Sequence, residues 1–298
     1  MRFVSHKSLR LACIAFAAVC IAGLVAQLLR TPQAAAAAGN PGSRRPVLVE
    51  LFTSEGCSSC PPADELLARL DAEQFVPGAQ VIVLSEHVTY WDHQGWRDPF
   101  SLDAVTDRQH QYSVRFGLDE VYTPQAVVNG AVGMVGSDEG AVSLAVARAA
   151  QGASPIDLAI GDAQWMGNAV RFNVRAEGSA DVTLMTVLAQ DSAKSAVTNG
   201  ENAGRTLRHV AVVRVIEDMG KAALDGRTLT LKLPDGGPNS KRAGPLRLVV
   251  FVADRRTGHI LTAAERTLTG PGPDPGRAAG GLQATSSPAP APPQTHPR

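Results

Sequence analysis

Between residues 46 and 150 the sequence alternates two kinds of apolar pattern, and that alternation restricts the fold more than any other feature. Residues 46–53 (PVLVELFT) and 81–85 (VIVLS) are short, nearly continuous apolar runs, the pattern of buried strands. Residues 61–70 (PPADELLARL) and about 102–116 read as helices. Pro61 and Pro62 fall in a first helical turn, where a missing amide hydrogen does no harm. Residues 125–128 and 131–135 flank Asn129-Gly130, a strong hairpin signal, and a last helix covers roughly 138–150. The order β, α, β, α, β, β, α requires a mixed sheet with helices on its faces.

Beyond residues 152–155 the alternation stops. Residues 156–163, 169–176, 182–189, 206–215, 228–233, 246–253 and 260–268 all read as strands, which predicts a small, mostly antiparallel β-sandwich as a second domain. The expected organisation is therefore an α/β domain over 43–152 and a β-rich domain over 155–269.

The two ends read differently. Arg2, Lys7 and Arg10 precede an apolar run at residues 11–29, followed by Arg30, Pro32 and five alanines at 34–38. This is the layout of an export signal over residues 1–38, with cleavage expected near Ala36 or Ala38. The run is also long enough for the alternative, an uncleaved anchor that holds the protein to the inner membrane through residues 11–29. Either way the rest faces an exported, oxidising compartment, periplasmic or secreted, and Cys13 and Cys20 stay in the signal. Residues 270–298 hold eight prolines and one large apolar residue, Leu282, so a disordered tail is expected there. The chain has 28 basic and 28 acidic groups, but four of the basic ones lie in the signal. The remainder of the chain is mildly acidic, which argues against a nucleic-acid surface.

Two cysteines remain, Cys57 and Cys60, in the sequence Cys-Ser-Ser-Cys between the first strand and the first helix. Placed on the N-cap side of that helix, Cys57 would feel the positive end of the helix dipole, which favours thiolate over thiol. Cys60, one helical turn further in, is suited to resolve a mixed disulfide formed at Cys57. A purely structural disulfide is the first alternative, although a loop this short contributes only about 1.9 kcal/mol in the chain-entropy model, against about 4.7 for a loop of 100 residues. A metal site is the second, although zinc usually takes four ligands and the exported chain offers no further cysteine.

Several strings carry a family resemblance: FTSEGCSSCPPAD at 52–64, HVTYWDHQGWRDPF at 87–100, RQHQY at 108–112 with YTPQAVVNG at 122–130, and GENAGRTLRHVAVVR at 200–214. They resemble the secreted bacterial family called domain of unknown function 1223, and the first half is similar to thioredoxin-like domains. The family usually has an acid at position 89, and Thr89 departs from that pattern, so no role is given to it. The thioredoxin likeness implies that Pro124, preceded by Thr123, is cis and lies against the disulfide, where it shapes a groove for an extended substrate; the alternative is a trans-proline that starts an edge strand. It also implies a buried acid beneath the sulfurs as a proton relay, a position Glu50 nearly matches; the alternative is a strand-edge glutamate in solvent.

Residues 87–100 are too irregular for a helix and too polar for a core strand. They leave the sheet at the cysteine end, where α/β folds place their sites. Trp91 and Trp96 could wall a substrate groove or simply plug the base of the fold. His87 or His93 could instead join the two thiolates around soft Cu(I). The string at 200–214 reads as a loop and strand that pack the second domain onto the first. The resulting expectation is a thiol-disulfide oxidoreductase with no cofactor beyond a Cys57–Cys60 disulfide and with protein thiols or disulfides as partners. Cys57 attacks, Cys60 resolves, Pro124 shapes the groove and Glu50 relays protons. A copper-handling protein and a non-enzymatic thioredoxin-like scaffold are the alternatives.

Overall fold

The structure, a computed structural model, describes residues 44–152, 154–178, 181–221, 225–234 and 244–268. The expected export signal and the proline-rich tail lie outside the described residues. Among the described residues no helix is long and apolar enough to cross a membrane.

The first half follows the order read from its patterns: β1 (Arg45–Thr53), α1 (Pro61–Glu73), β2 (Ala79–His87), α2 (Asp103–Phe116), β3 (Gln125–Val128), β4 (Val132–Val135) and α3 (Glu139–Gln151). β1 is central. It runs parallel to β2, from Arg45 beside Ala79 to Thr53 beside His87, and antiparallel to β3. The β3–β4 hairpin turns through Asn129 and Gly130, with φ of 47° and 60°, the left-handed backbone these residues tolerate best. Asn129 also fastens the hairpin to β1, because its side-chain oxygen accepts the Leu48 amide at 2.8 Å.

The second half contributes β5 (Ile156–Met166), β6 (Ala169–Gly178), β7 (Val182–Ala196), β8 (Thr206–Gly220), β9 (Asp225–Lys232), β10 (Leu246–Asp254) and β11 (Ile260–Leu268). These strands do not form the separate sandwich domain that their spacing suggests. β8 lies parallel to β2, with Val212 beside Ser85, and one eight-stranded mixed sheet results, in the order β11-β10-β7-β8-β2-β1-β3-β4. Only β5, β6 and β9 make a sheet of their own. The physical reason is visible in β7 and β10, whose residues are apolar at both parities. Val187, Ala189, Val249 and Phe251 enter the core built on β1 and β2, while Leu184, Leu188, Leu248 and Val250 pack with the three-stranded sheet. Such strands need cover on both faces, and a lone two-sheet sandwich covers one. Arg247 of β10 reinforces the join by a two-pronged contact with Asp71 near the end of α1, at 2.6 and 2.8 Å.

A polar cluster sits inside the first core. Glu50 is fully buried and accepts from Arg108 Nε at 2.5 Å and from the Tyr112 hydroxyl at 2.6 Å. The Arg108 guanidinium lies 5.0 Å from the ring centres of both Tyr112 and Phe251. Beside them Glu86 is fully buried, and desolvation followed by the Glu50 charge pushes its carboxyl well above the ordinary range. A carboxyl shifted upward on folding holds protons more tightly in the folded protein than in the unfolded chain, so folding is linked to proton uptake. Stability attributable to this group falls as pH rises above the unfolded carboxylate value near 4.3. Glu86→Gln should flatten that slope, with unfolding free energies from urea titration matching wild type near pH 4 and exceeding it by about 1–3 kcal/mol at pH 7. Equal slopes for both proteins would place an ionised carboxylate at 86.

Candidate functional site

β1 delivers its chain to a tight turn: the Cys57 amide donates to the Ser54 carbonyl at 3.2 Å, and the Cys60 amide donates to the Cys57 carbonyl at 3.2 Å. Cys57 and Cys60 form a disulfide with an S–S distance of 2.09 Å. The helix cap differs from the sequence expectation. Cys57 lies on the N-cap side, but Cys60, expected one helical turn further in, is itself the N-cap of α1, with Pro61 and Pro62 directly after it. Prolines have no amide hydrogen, and the Ala63 and Asp64 amides already donate to the Cys60 carbonyl, so this helix end gives a sulfur little beyond its dipole. Ser58 and Ser59 are exposed, yet both cysteines are 0% exposed. An outside thiol therefore meets a covered disulfide.

Three segments converge on this turn. Because β1 and β2 are parallel, the loop after His87 leaves the sheet beside it, as expected, and the Val88 amide donates to the Thr53 carbonyl at 2.9 Å. Trp91 packs on Gly56, where an added Cβ would meet the Trp91 Cβ at 3.2 Å, and its indole donates to the Thr123 hydroxyl at 2.8 Å. The Thr123–Pro124 peptide bond is cis. A Cβ on Gly136 would lie 3.3 Å from both Ala63 and Pro124, so the proline stands close to the first turn of α1. Trp96 reaches the other flank of the turn and donates to Glu55 Oε2 at 2.9 Å.

Beneath the turn lies a charged group that sequence reading missed. Glu55 is fully buried; its amide donates to Asp98 Oδ2 at 2.8 Å, and its Oε1 lies 3.2 Å from His209 Nε2. The other ring nitrogen of His209 is 3.8 Å from Asp64 Oδ1, in the first turn of α1. Burial opposes a charge on His209, but the Asp64 and Glu55 carboxylates outweigh it and push the imidazole pKa up to about 10. The imidazolium thus joins the residue two before Cys57 to the residue four after Cys60. Alongside, His87 Nδ1 contacts Asp98 Oδ2 at 2.7 Å, and the His87 and His209 rings meet edge to face at 4.6 Å. Burial works against the Asp98 charge, but His87 and the amides of Glu55 and Phe100 hold its carboxyl below the usual range.

The string at 200–214 also does more than pack two halves together. Asn202 is fully buried, and its Nδ2 donates to the backbone carbonyls of Glu55 at 2.9 Å and Cys57 at 3.0 Å. Arg205 Nη1 donates to Asn202 Oδ1 at 2.8 Å and fixes which way the amide faces. The neighbouring Glu201 accepts the Ser58 amide at 3.0 Å, an interaction that lowers its carboxyl pKa. A loop more than 140 residues away in sequence thus grips the backbone on either side of Cys57. The signal was there in the polar string GENAGR, but only the β2–β8 pairing places it over the cysteines.

The remaining expected residues take other places. Glu50 is buried rather than solvent-facing, but both its oxygens are taken by Arg108 and Tyr112, and none of the hydrogen bonds among the described residues joins it to a sulfur. His87 is buried with its Nδ1 on Asp98 and its Nε2 on the Ser85 hydroxyl at 3.2 Å, which leaves neither ring nitrogen facing the thiols. His93 is exposed on the loop.

Fold and site together define a mixed α/β protein that carries a covered Cys-x-x-Cys disulfide at the end of its central strand. The chain belongs to the family described as protein of unknown function DUF1223, whose model matches residues 48–253. An X-ray crystal structure of a protein from Agrobacterium tumefaciens is similar, at 26% sequence identity and a TM-score of 0.55, covering 76% of this chain and 95% of that one. Comparison with curated proteins gives no match.

Proposed function

We propose that this is an exported thiol-disulfide redox protein of thioredoxin-like design that exchanges its Cys57–Cys60 disulfide with protein thiols or disulfides. The observation that carries the reading is the disulfide itself, set between the central strand and α1 with Trp91 and the Thr123–Pro124 segment gathered against its turn. As a staple it is poor, because closing so short a loop removes little entropy from the unfolded chain. As a reaction centre it has the needed parts. A substrate thiolate attacks Cys57 Sγ, the S–S bond breaks, and its electron pair leaves on Cys60 as a thiolate. The substrate's second thiol then attacks the mixed disulfide and releases Cys57, so the substrate leaves oxidised and the protein carries the dithiol. Export into an oxidising compartment, through the apolar segment at residues 11–29, belongs to the same reading.

Equilibration with a graded series of reduced and oxidised glutathione, quenched by alkylation and read by mass, tests this. The expected result is a reversible transition at one potential, and accumulation of a glutathione adduct on Cys57 in the Cys60→Ser variant. Thiols that stay in one state across every buffer would leave the domain a scaffold.

A further inference from the structure

We infer that the loop at residues 197–205 is a gate: a thiol reaches Cys57 only after Glu201 and Asn202 release the cysteine turn, and this release is local rather than a global unfolding. The inference rests on the proposed redox function and concerns how its reaction centre is reached.

Three observations point the same way. Both cysteines are fully covered although the serines between them are exposed, so the cover is over the sulfurs and not over the whole turn. The grip is on backbone atoms next to the reacting residue: the Asn202 amide holds the Glu55 and Cys57 carbonyls, and the Glu201 carboxylate holds the Ser58 amide. And the loop is built as one unit. The Val197 amide donates to the Arg205 carbonyl at 3.0 Å, the Gly204 amide donates to the Val197 carbonyl at 2.8 Å, and Arg205 fixes the Asn202 side chain, so Glu201 and Asn202 are presented together and leave together. Val197 and Asn202 are the buried anchors of the loop and Gly200 backs onto Trp96, but Glu201 and residues 203–205 are exposed, so the part that grips the turn is held mainly by hydrogen bonds. Segments held by a few hydrogen bonds and little apolar burial open at far lower cost than the whole fold.

The atoms that Glu201 and Asn202 occupy also say what replaces them. Two backbone carbonyls and one amide, next to a reactive sulfur, are the groups that pair with an extended polypeptide. A cysteine-bearing extended segment that supplies its own amides and carbonyl satisfies the same atoms when the loop leaves. The gate thus favours such a segment over a small thiol, which cannot restore the lost hydrogen bonds.

The test measures the rate at which dithiothreitol reduces the disulfide in the intact exported chain, as a function of urea below the unfolding transition. Local opening exposes little surface, so the rate should hardly change with urea, whereas passage through the unfolded state gives a slope equal to that of global unfolding. Glu201→Ala, at an exposed position, should speed reduction about threefold with global stability lowered by no more than that same factor, and Asn202→Ala about tenfold or more, as expected for losing one and two hydrogen bonds of ordinary net strength. A wild-type rate that follows the global slope, or a Glu201→Ala rate equal to wild type, overturns the gate. The equilibrium titration against glutathione is read separately: a reversible potential with globally limited rates sinks only the gate, while no reversible transition sinks the redox reading.

Discussion

Replacing His209 with glutamine should lower the stability of this protein by about 3–5 kcal/mol at neutral pH, the cost of removing one partner from a buried charge set. His209 is held between the buried carboxylates of Glu55 and Asp64, and a neutral side chain leaves the two acids together without a cation. The pH dependence gives a second readout. The pKa is raised to about 10 in the folded protein, above the unfolded value near 6.5. The stability it contributes is fully present below about pH 6.5 and is lost as pH climbs towards 10. Urea unfolding from pH 6 to 10 should therefore show wild type losing stability across that window, with the variant starting low and changing little. Glu55→Gln combined with His209→Gln should recover part of the loss, since one of the stranded charges is then gone. A single variant as stable as wild type would mean that His209 is not charged in the fold.

Arg108→Met should be nearly as costly, again about 3–5 kcal/mol, although its length and apolar stem suit the space. Glu50 takes both the guanidinium and the Tyr112 hydroxyl, and burial together with the Glu50 charge already pushes the Glu86 carboxyl beside it well above its ordinary range. With Arg108 gone, the buried Glu50 and Glu86 side chains lose the cation beside them, and the Glu86 carboxyl, which that cation pulls down, is pushed up further. The variant should accordingly regain stability on acidification from pH 7 towards 5, where the unfolded carboxylates begin to bind protons as well. Thermal midpoints at the two pH values test this. Similar losses at both would assign the effect to the lost packing on Tyr112 and Phe251 rather than to charge.

The first half of the fold was open to reading because its elements are local. The prolines at 61 and 62, the Asn129-Gly130 turn and the apolar strands each state their structure within a few residues. The second half was misread at one point only, and for a physical reason. Strand spacing reports strands but not their partners, and the pairing of β8 with β2 joins residues 127 positions apart. The clue was the two-sided apolar character of β7 and β10, with Val249 and Phe251 pointing one way and Leu248 and Val250 the other. At the site, the cysteine pair, Trp91 and Trp96 could be found from sequence because they follow the ends of β1 and β2, and Thr123 and Pro124, just before β3, because the thioredoxin likeness implied them. Glu55, Asp64, Asn202 and His209 could not, because nothing local distinguishes a buried turn glutamate from a solvated one. Glu50 shows the reverse case: its burial could be read from an apolar strand, but its partners come from α2, and they take up the oxygens that a relay to the sulfurs would use.

The parallel pairing of β8 with β2 also governs the order of events when the chain folds. Residues 44–152 contain β1 to β4 and α1 to α3, yet β2 keeps an open edge until the chain beyond residue 206 has arrived. That edge is a buried, β-rich strand, the kind that seeks another strand while it waits. Closing it late, with partners so far apart in sequence, makes for high contact order and slow folding. The same late step brings the 197–205 loop and His209 to the cysteine turn, so Asn202 and Glu201 grip the backbone around Cys57 only when the sheet is complete. Until then the turn lacks those three hydrogen bonds, so the Cys57–Cys60 pair can close before the loop that grips it is in place.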